Sequence, residues 1–145
     1  MLENKNTAII RRWFEEVWNQ RRLETIDELL APNAVAHDLG GNGASTTGPA
    51  EFKVAAEQLL TAFGEAHFVV EDIFGVDDRV AVRLTATLKN TGPLGHLPPT
   101  GTEVSVPVMC IVHIRDGKLV EGWNCWDVGT ALRAANAPAE MMTIF

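Results

Sequence analysis

The sequence predicts an α+β domain in which three N-terminal helices pack on a strongly curved, mainly antiparallel sheet, leaving a cone-shaped barrel with an open mouth. Three observations lead there. Apolar residues recur every three or four positions as far as Phe63, and from Ala66 onward they recur at every second position. Helical runs first and strand runs afterwards is the order of an α+β fold rather than of alternating βαβ units. A chain of 145 residues is one core's worth of polymer, so residues 1–145 are read as a single domain.

In NKNTAIIRRWFEEVWNQ, Ile10, Trp13, Phe14 and Val17 fall at helical spacing, with Asn and Thr upstream able to cap free amides. RLETIDELL repeats the pattern through Leu23, Ile26, Leu29 and Leu30, and Pro32 is expected to stop it. NAVAHD reads as a short extended piece, followed by the glycine-rich loop GGNGASTTG. Pro49 suits the first turn of a third helix, PAEFKVAAEQLLTAF, with Phe52, Ala56, Leu59 and Phe63 inward and Gly64 as a left-handed stop.

HFVVEDIF and RVAVRLTATLK flank the turn GVDD, and Val80, Val82, Leu84, Ala86 and Leu88 alternate with polar or charged residues, so that strand has one buried face. TEVSVPVMCIVHI alternates in the same way. Asp116-Gly117 is a hairpin turn, and KLVEGWNCWD returns as the antiparallel partner. A sheet bent around helices leaves a concavity of the kind that holds small molecules.

Composition removes several classes of function. With 46% hydrophobic and 21% charged residues the chain is globular, not disordered. A net charge of -7 opposes nucleic acid, and the clusters Arg11-Arg12 and Arg21-Arg22 lie within or beside a helical pattern that also holds Glu15 and Glu16, a solvated mixed-charge face. No apolar run is long enough to cross a bilayer, and MLENKNTAII lacks the core of a secretion signal, so no membrane partner and a cytoplasmic location are expected. Cys110 and Cys125 are expected to be reduced. No metal is expected, because the four histidines show no ligand spacing, and there is no phosphate-binding glycine motif.

The last hairpin poses a question of register. With Asp116 and Gly117 alone in the loop, Arg115 pairs with Lys118 and a regular ladder puts Trp123, Cys125 and Asp127 on the Cys110 face. One extra residue at Gly122, a bulge, instead brings Asn124 and Trp126 onto that face. Positions 124 and 127 differ by an odd number, so a regular strand cannot send both into one cavity. With Asn124 inward, Asp127 is left to cap VGTALRAAN as a terminal helix.

GHLPPTGTEVSV, HIRDGKLVEGWNCWD and TALR, together with the first helix, LLAPNAVAHD and GPAEF, resemble the SnoaL-like polyketide cyclase family, within the class resembling nuclear transport factor two. The resemblance spans nearly the whole chain. It implies a cone-shaped α+β barrel, commonly dimeric through the outer sheet face, and an intramolecular aldol closure of a polyketide ester with no metal and no cofactor. It also implies that the family's catalytic aspartate corresponds to Asn124 and its paired histidine to Cys110, so neither is retained here. Because those two positions face one another in the family, the bulged register is expected, with Asn124 and Cys110 in the cavity.

Aldol closure needs a base beside a carbonyl and a donor for the enolate oxygen, and an amide can only be the donor. The candidate bases are Asp38, usable near neutral pH once desolvated at the cavity mouth, and His37; the alternative is that both are loop residues capping neighbouring amides. Asp127 completes the catalytic candidates. Trp13, Val17, Ala55, Leu59, Cys110 and Trp126 are the expected substrate-binding residues, with plain core packing as the alternative for Trp13 and Val17 and an inert buried thiol for Cys110. His113 is expected on the outer face by parity, and His67 and His96 have no partner in the sequence.

The function that the resemblance implies is a lyase- or isomerase-like enzyme similar to polyketide (ester) cyclases, with acid/base chemistry on an apolar carbonyl compound. One alternative is a non-catalytic binder of an apolar ligand; another is an isomerase or epoxide hydrolase on the same fold. Isomerases of the ketosteroid kind use a tyrosine, and this chain has none. Fold alone does not fix the chemistry.

Overall fold

Asn4 starts the first helix: its side-chain oxygen accepts the Asn6 backbone N–H at 2.8 Å, meeting one of the amides that a helix start leaves open. The structure, a computed structural model, describes residues 4–40, 43–93, 98–127 and 133. Helix α1 (Lys5–Trp13) passes into a π-helical turn, Phe14–Asn19, where the Gln20 N–H bonds to the Glu15 carbonyl five residues back at 2.9 Å. The wider turn sets residues five apart above one another. Trp18 therefore joins Trp13 over Phe52, with ring centroids 6.1 and 5.3 Å away.

Helix α2 (Glu24–Leu29) ends earlier than expected, and strand β1 (Leu30–His37) follows at once, so Pro32 lies within a strand and does not stop the helix. It is tolerated because β1 arches away from its neighbour between Leu30 and Val35, where no ladder bond needs a proline N–H. Strand β2 (Ser45–Thr47) forms in what reads as loop and precedes helix α3 (Gly48–Ala62). At Gly48, φ is +80° and a Cβ would lie 2.8 Å from the Pro32 carbonyl oxygen, so the helix start is seated on the β1 arch.

Gly64 is not the left-handed stop. Helix α3 closes through Phe63 at φ −119°, and Gly64 serves close approach: its N–H bonds to Thr91 Oγ1 at 2.8 Å, where a Cβ would stand 2.2 Å from that oxygen. The Arg21 guanidinium caps the same helix end, donating to the carbonyls of Leu60 and Phe63.

Strands β3 (Glu65–Val76), β4 (Arg79–Lys89), β5 (Glu103–Arg115) and β6 (Lys118–Cys125) complete a six-stranded sheet in the order β2-β1-β6-β5-β4-β3. All neighbours are antiparallel except β1 and β6, which run parallel. β2 and β3 are free edges, so the sheet wraps the helices as an open half-barrel without closing. The β3 edge is partly covered by Asn19, whose amide donates to the Phe68 carbonyl and accepts the Phe68 N–H, as a neighbouring strand would.

The core lies between this sheet and α1, the π turn and α3. Val80 to Leu88 of β4 and Val104 to Ile114 of β5 bury every second side chain in one core with Phe52, Ala56 and Leu59 of α3 and Phe63 just past its end. Each buried valine, leucine, isoleucine or phenylalanine among them contributes about 2 kcal/mol of transfer free energy. Asn90, 2% exposed, ties the loop after β4 down by donating to the Ala62 and Gly92 carbonyls and accepting from the Thr100 N–H and hydroxyl.

Candidate functional site

The site is built by the last hairpin. Asp116 and Gly117 both take positive φ, 52° and 78°, as a two-residue turn matched to strand twist requires, and Arg115 pairs with Lys118. The bulge that shifts the register is present, but not at Gly122. His113 pairs with Glu121 and Ile114 with Leu119, so Val120 is the extra residue, and Gly122 sits in regular register opposite Val112. From there Cys110 pairs with Asn124, and Asn124 and Trp126 enter the concave side.

The parallel ladder between β1 and β6 ends at His37 and Trp123. Side chains continue it: Asn124 Nδ2 donates to the His37 carbonyl at 2.9 Å, and Trp126 Nε1 donates to the Leu39 carbonyl at 2.7 Å. The Cys110 thiol donates to Asn124 Oδ1 at 3.3 Å. Burial pushes that thiol up to about 12, with the nearby Cys125 adding to the rise, so Cys110 keeps its proton and is no nucleophile. Cys125 is free and lies on the exposed side of the strand.

Asn124 and Cys110 share a cavity of about 50 Å³ with six aromatic side chains: Trp13, Phe14, Trp18, Phe52, Phe68 and Trp126. These rings touch in sequence, Trp13 to Phe52 to Trp18 to Phe68, with Phe14 and Trp126 also on Phe68. Aliphatic residues such as Leu39, Val108 and Leu119 fill the remaining wall. The enclosed volume holds a few waters or one small group and is well below the roughly 300 Å³ of a site for a drug-sized ligand.

The other expected site residues are distributed as follows. The His37 ring lies on the outer face, not at the cavity mouth, because the parity of β1 puts its side chain there with Trp123. It stacks on Trp123 with centroids 5.2 Å apart, and its Nε2 meets Glu121 Oε2 at 2.7 Å. Glu121 itself borders the cavity where β6 swings round the bulge. Asp38 is half-buried, has φ 58° and holds the loop by accepting the Gly43 N–H on Oδ1 at 2.6 Å. It is next to the wall residue Leu39 but is not itself part of the wall.

Trp13 lines the cavity as well as packing in the core, whereas Val17 is fully buried behind it. Ala55 and Leu59 pack in the body of α3 away from the wall. Asp127 is exposed just past β6, and the helix expected to follow it, residues 128–136, lies outside the described residues apart from Arg133, as does His96. His113 is on the outer side, its ring edge-on to Trp123 at 5.0 Å. Among the described residues no group of three or more His, Cys, Asp or Glu is placed to hold a metal ion.

Sequence reasoning missed Trp18, Phe68 and Leu39 as wall residues. Trp18 is five residues from Trp13, off the helical spacing, and only the π turn brings the two together. Leu39 is the apolar residue in a polar loop, and that isolation was its available signal.

The wider comparisons agree with this architecture. IdmH from Streptomyces antibioticus, described as a proposed polyketide cyclase, superposes with a TM-score of 0.77 at 26% identity over 92% of this chain and 100% of its own. AclR from Streptomyces galilaeus, described as a proposed hydroxylase, gives 0.75 at 27% identity over 92% and 98%. A SnoaL-like protein from Jannaschia sp. CCS1 gives 0.83 at 24% identity over 94% of each chain, a likeness of fold. No curated protein matches the sequence. Residues 8–135 match the profile of one family across nearly the whole described domain, and this chain belongs to the SnoaL-like polyketide cyclase family.

Proposed function

We propose that this chain binds an apolar carbonyl compound, of the kind polyketide cyclases handle, in the aromatic cavity under β6, with the Asn124 amide donating to the carbonyl oxygen. The observation that carries this reading is the wall itself: six aromatic rings around one amide whose Nδ2 bonds, among the described residues, to the His37 carbonyl alone and so has a second N–H to give. The free cavity seats one small group. A larger ligand has to displace a wall side chain.

A second reading adds turnover, in which Asp38 takes a proton next to the carbonyl while Asn124 holds the developing oxyanion. One observation favours it: Asp38 adjoins Leu39, whose carbonyl is fixed by the wall residue Trp126. His37 is the weaker base for this step, because its ring is on the other side of the sheet, held by Glu121. The chain works as a homodimer in this reading, through the exposed outer face of the sheet, and in the cytoplasm, where both cysteines stay reduced.

Calorimetric titration with small ketones and cyclisable keto-esters, followed by product analysis, tests both readings. Saturable binding that weakens about tenfold or more in Asn124→Leu supports the first; equal binding by the variant removes Asn124 from the site. Product formed by the wild type and lost in Asp38→Asn, with binding kept, supports the second. Unchanged turnover in that variant excludes Asp38 as the base.

A further inference from the structure

Three of the chain's four tryptophans and three of its six phenylalanines line one cavity. Their rings are tilted against one another, Trp13 on Phe52 at 58°, Trp18 on Phe52 at 71° and Trp18 on Phe68 at 47°, so they wrap the space from several directions and do not stack flat. The face of an aromatic ring is electron-rich, and tryptophan attracts a cation more strongly than phenylalanine or tyrosine does. Among the described residues no lysine, arginine or histidine lines this cavity, and the one charged residue at its border is a carboxylate, Glu121. Asn124 Oδ1 accepts the Cys110 thiol at 3.3 Å and, having two lone pairs, keeps one for a positive group.

We propose that this cavity is a binding site for a methylated ammonium ion, a compact cation held by the aromatic rings and the Asn124 side-chain oxygen. The proposal uses the cavity of the binding reading above, but neither its ligand class nor the Asn124 N–H. Size favours such an ion: the space of about 50 Å³ takes one small group, whereas a ligand on the scale of a polyketide has to displace the wall. Methylation matters as well. A bare ammonium brings three or more N–H donors into a wall that is mostly ring and aliphatic carbon, and donors left unmet there are costly. A quaternary ion has no N–H to satisfy, and its charge is spread over methyl groups that can rest on ring faces. The net charge of -7 also draws cations toward the molecule.

The probes are tetramethylammonium chloride and tert-butanol, which share a compact tetrahedral shape and the same number of non-hydrogen atoms but differ in charge, with acetone titrated in parallel. The wild type is expected to bind the ammonium ion about tenfold more tightly than tert-butanol. Trp126 is the ring to change, because it is half-buried past the end of β6 and is not among the buried core residues. Trp126→Leu and Trp126→Phe both lose the bond to the Leu39 carbonyl, but only the phenylalanine keeps a ring. Ammonium affinity should therefore fall about fivefold further in the leucine variant than in the phenylalanine one, with tert-butanol affinity alike in the two. Equal ammonium affinity in both variants, or a wild type that binds tert-butanol as tightly as the ion, overturns the proposal. Acetone binding without ammonium binding overturns it and leaves the carbonyl reading standing. Ammonium binding without acetone binding supports it and counts against the carbonyl reading, and a wild type that binds none of the probes overturns both.

Proton NMR of the ion gives a readout that needs no variant. Methyl protons lying over ring faces move upfield, so the tetramethylammonium signal should shift upfield and saturate as wild-type protein is added. Saturable binding with no upfield shift would put the ion outside the rings, and that result also overturns the proposal.

Discussion

At position 124 the difference between an amide and a carboxylate decides what the site can do. The family resemblance puts an aspartate there, and in this chain the neighbouring group is a carbonyl oxygen at 2.9 Å, which an ionised carboxylate would repel. Asn124→Asp therefore creates an acid whose ionisation in the fold is pushed above the ordinary carboxylate range by burial and by the His37 carbonyl. The sign follows: a group with a raised folded-state value contributes stability while it is protonated, and loses it as pH rises through that value. The variant should match the wild type in thermal unfolding near pH 4 and fall below it by about 2 kcal/mol or more at pH 8. A variant equally stable at both would show that this carbonyl does not face the side chain.

At the scale of elements, the hairpin shows how far the sequence reaches. The turn and the pairing of Arg115 with Lys118 could be read from Asp-Gly, whereas regular alternation alone turns Asn124 outward, and its inward position followed only from a bulge and from the family resemblance. The position of the bulge could not be read. Glycine marks bulges because it lacks a side chain, yet the extra residue is Val120, placed where β1 arches away between Leu30 and Val35, and a contact made by a distant strand leaves no local sign. The π turn was hidden for a similar reason, since its residues fit an α-helical pattern as well and tertiary packing on Phe52 and Phe68 selects between them. His37 was misread as a cavity residue because strand parity in β1 is set by its partner β6, not by its own sequence.

Gly122 has another role, and it can be tested. A Cβ there would meet Ile111 O and Val112 Cγ2 at 3.9 Å, ordinary contact distances, so the missing side chain leaves cavity space and no steric rule demands glycine. Gly122→Val should keep or raise the melting temperature, because valine suits a strand, while weakening ketone binding at least about tenfold by filling the cavity. Binding unchanged in a folded variant would place the ligand elsewhere.

The contact between the π turn and α2 supplies a pH dependence. Glu16 bonds to the Arg12 guanidinium at 2.6 Å and to the Thr25 hydroxyl at 2.8 Å, and these hold its carboxyl below the ordinary range, the Arg12 bond first. Arg12 also reaches Glu28 of α2. A lowered folded-state value contributes stability above the ordinary carboxylate range that is lost as pH falls through the lowered value. Between pH 7 and pH 3 the melting temperature of Glu16→Gln should therefore drop less than that of the wild type. An equal drop would assign the acid sensitivity to other carboxylates.

For the whole molecule, the convex face of the sheet is the feature the monomer leaves unexplained. Phe74 pairs with Ala81, Ala81 with Ile111 and Ile111 with Trp123, so one row of apolar residues crosses four strands. Phe74, Ile111 and Trp123 are 59%, 51% and 40% exposed, and Val76 and Met109 beside them are exposed as well. A contiguous apolar patch of this kind on a small domain marks an association surface. A second copy related by a two-fold axis would lay the same row against itself, since an isologous interface uses one patch twice. Ile111 stands in the middle strand pair of the row, so a two-fold axis near it would bring Phe74 of one protomer over Trp123 of its partner. Ile111→Lys then sets two like charges against each other at the centre of the interface. The wild type should sediment at twice the chain mass, with a melting temperature that rises with concentration, whereas Ile111→Lys should sediment as a monomer with no such rise. The inward-facing residues are untouched by that change, so ketone binding in the cavity should persist in the monomer. A wild type that sediments as a monomer would leave this face to a partner other than a second copy.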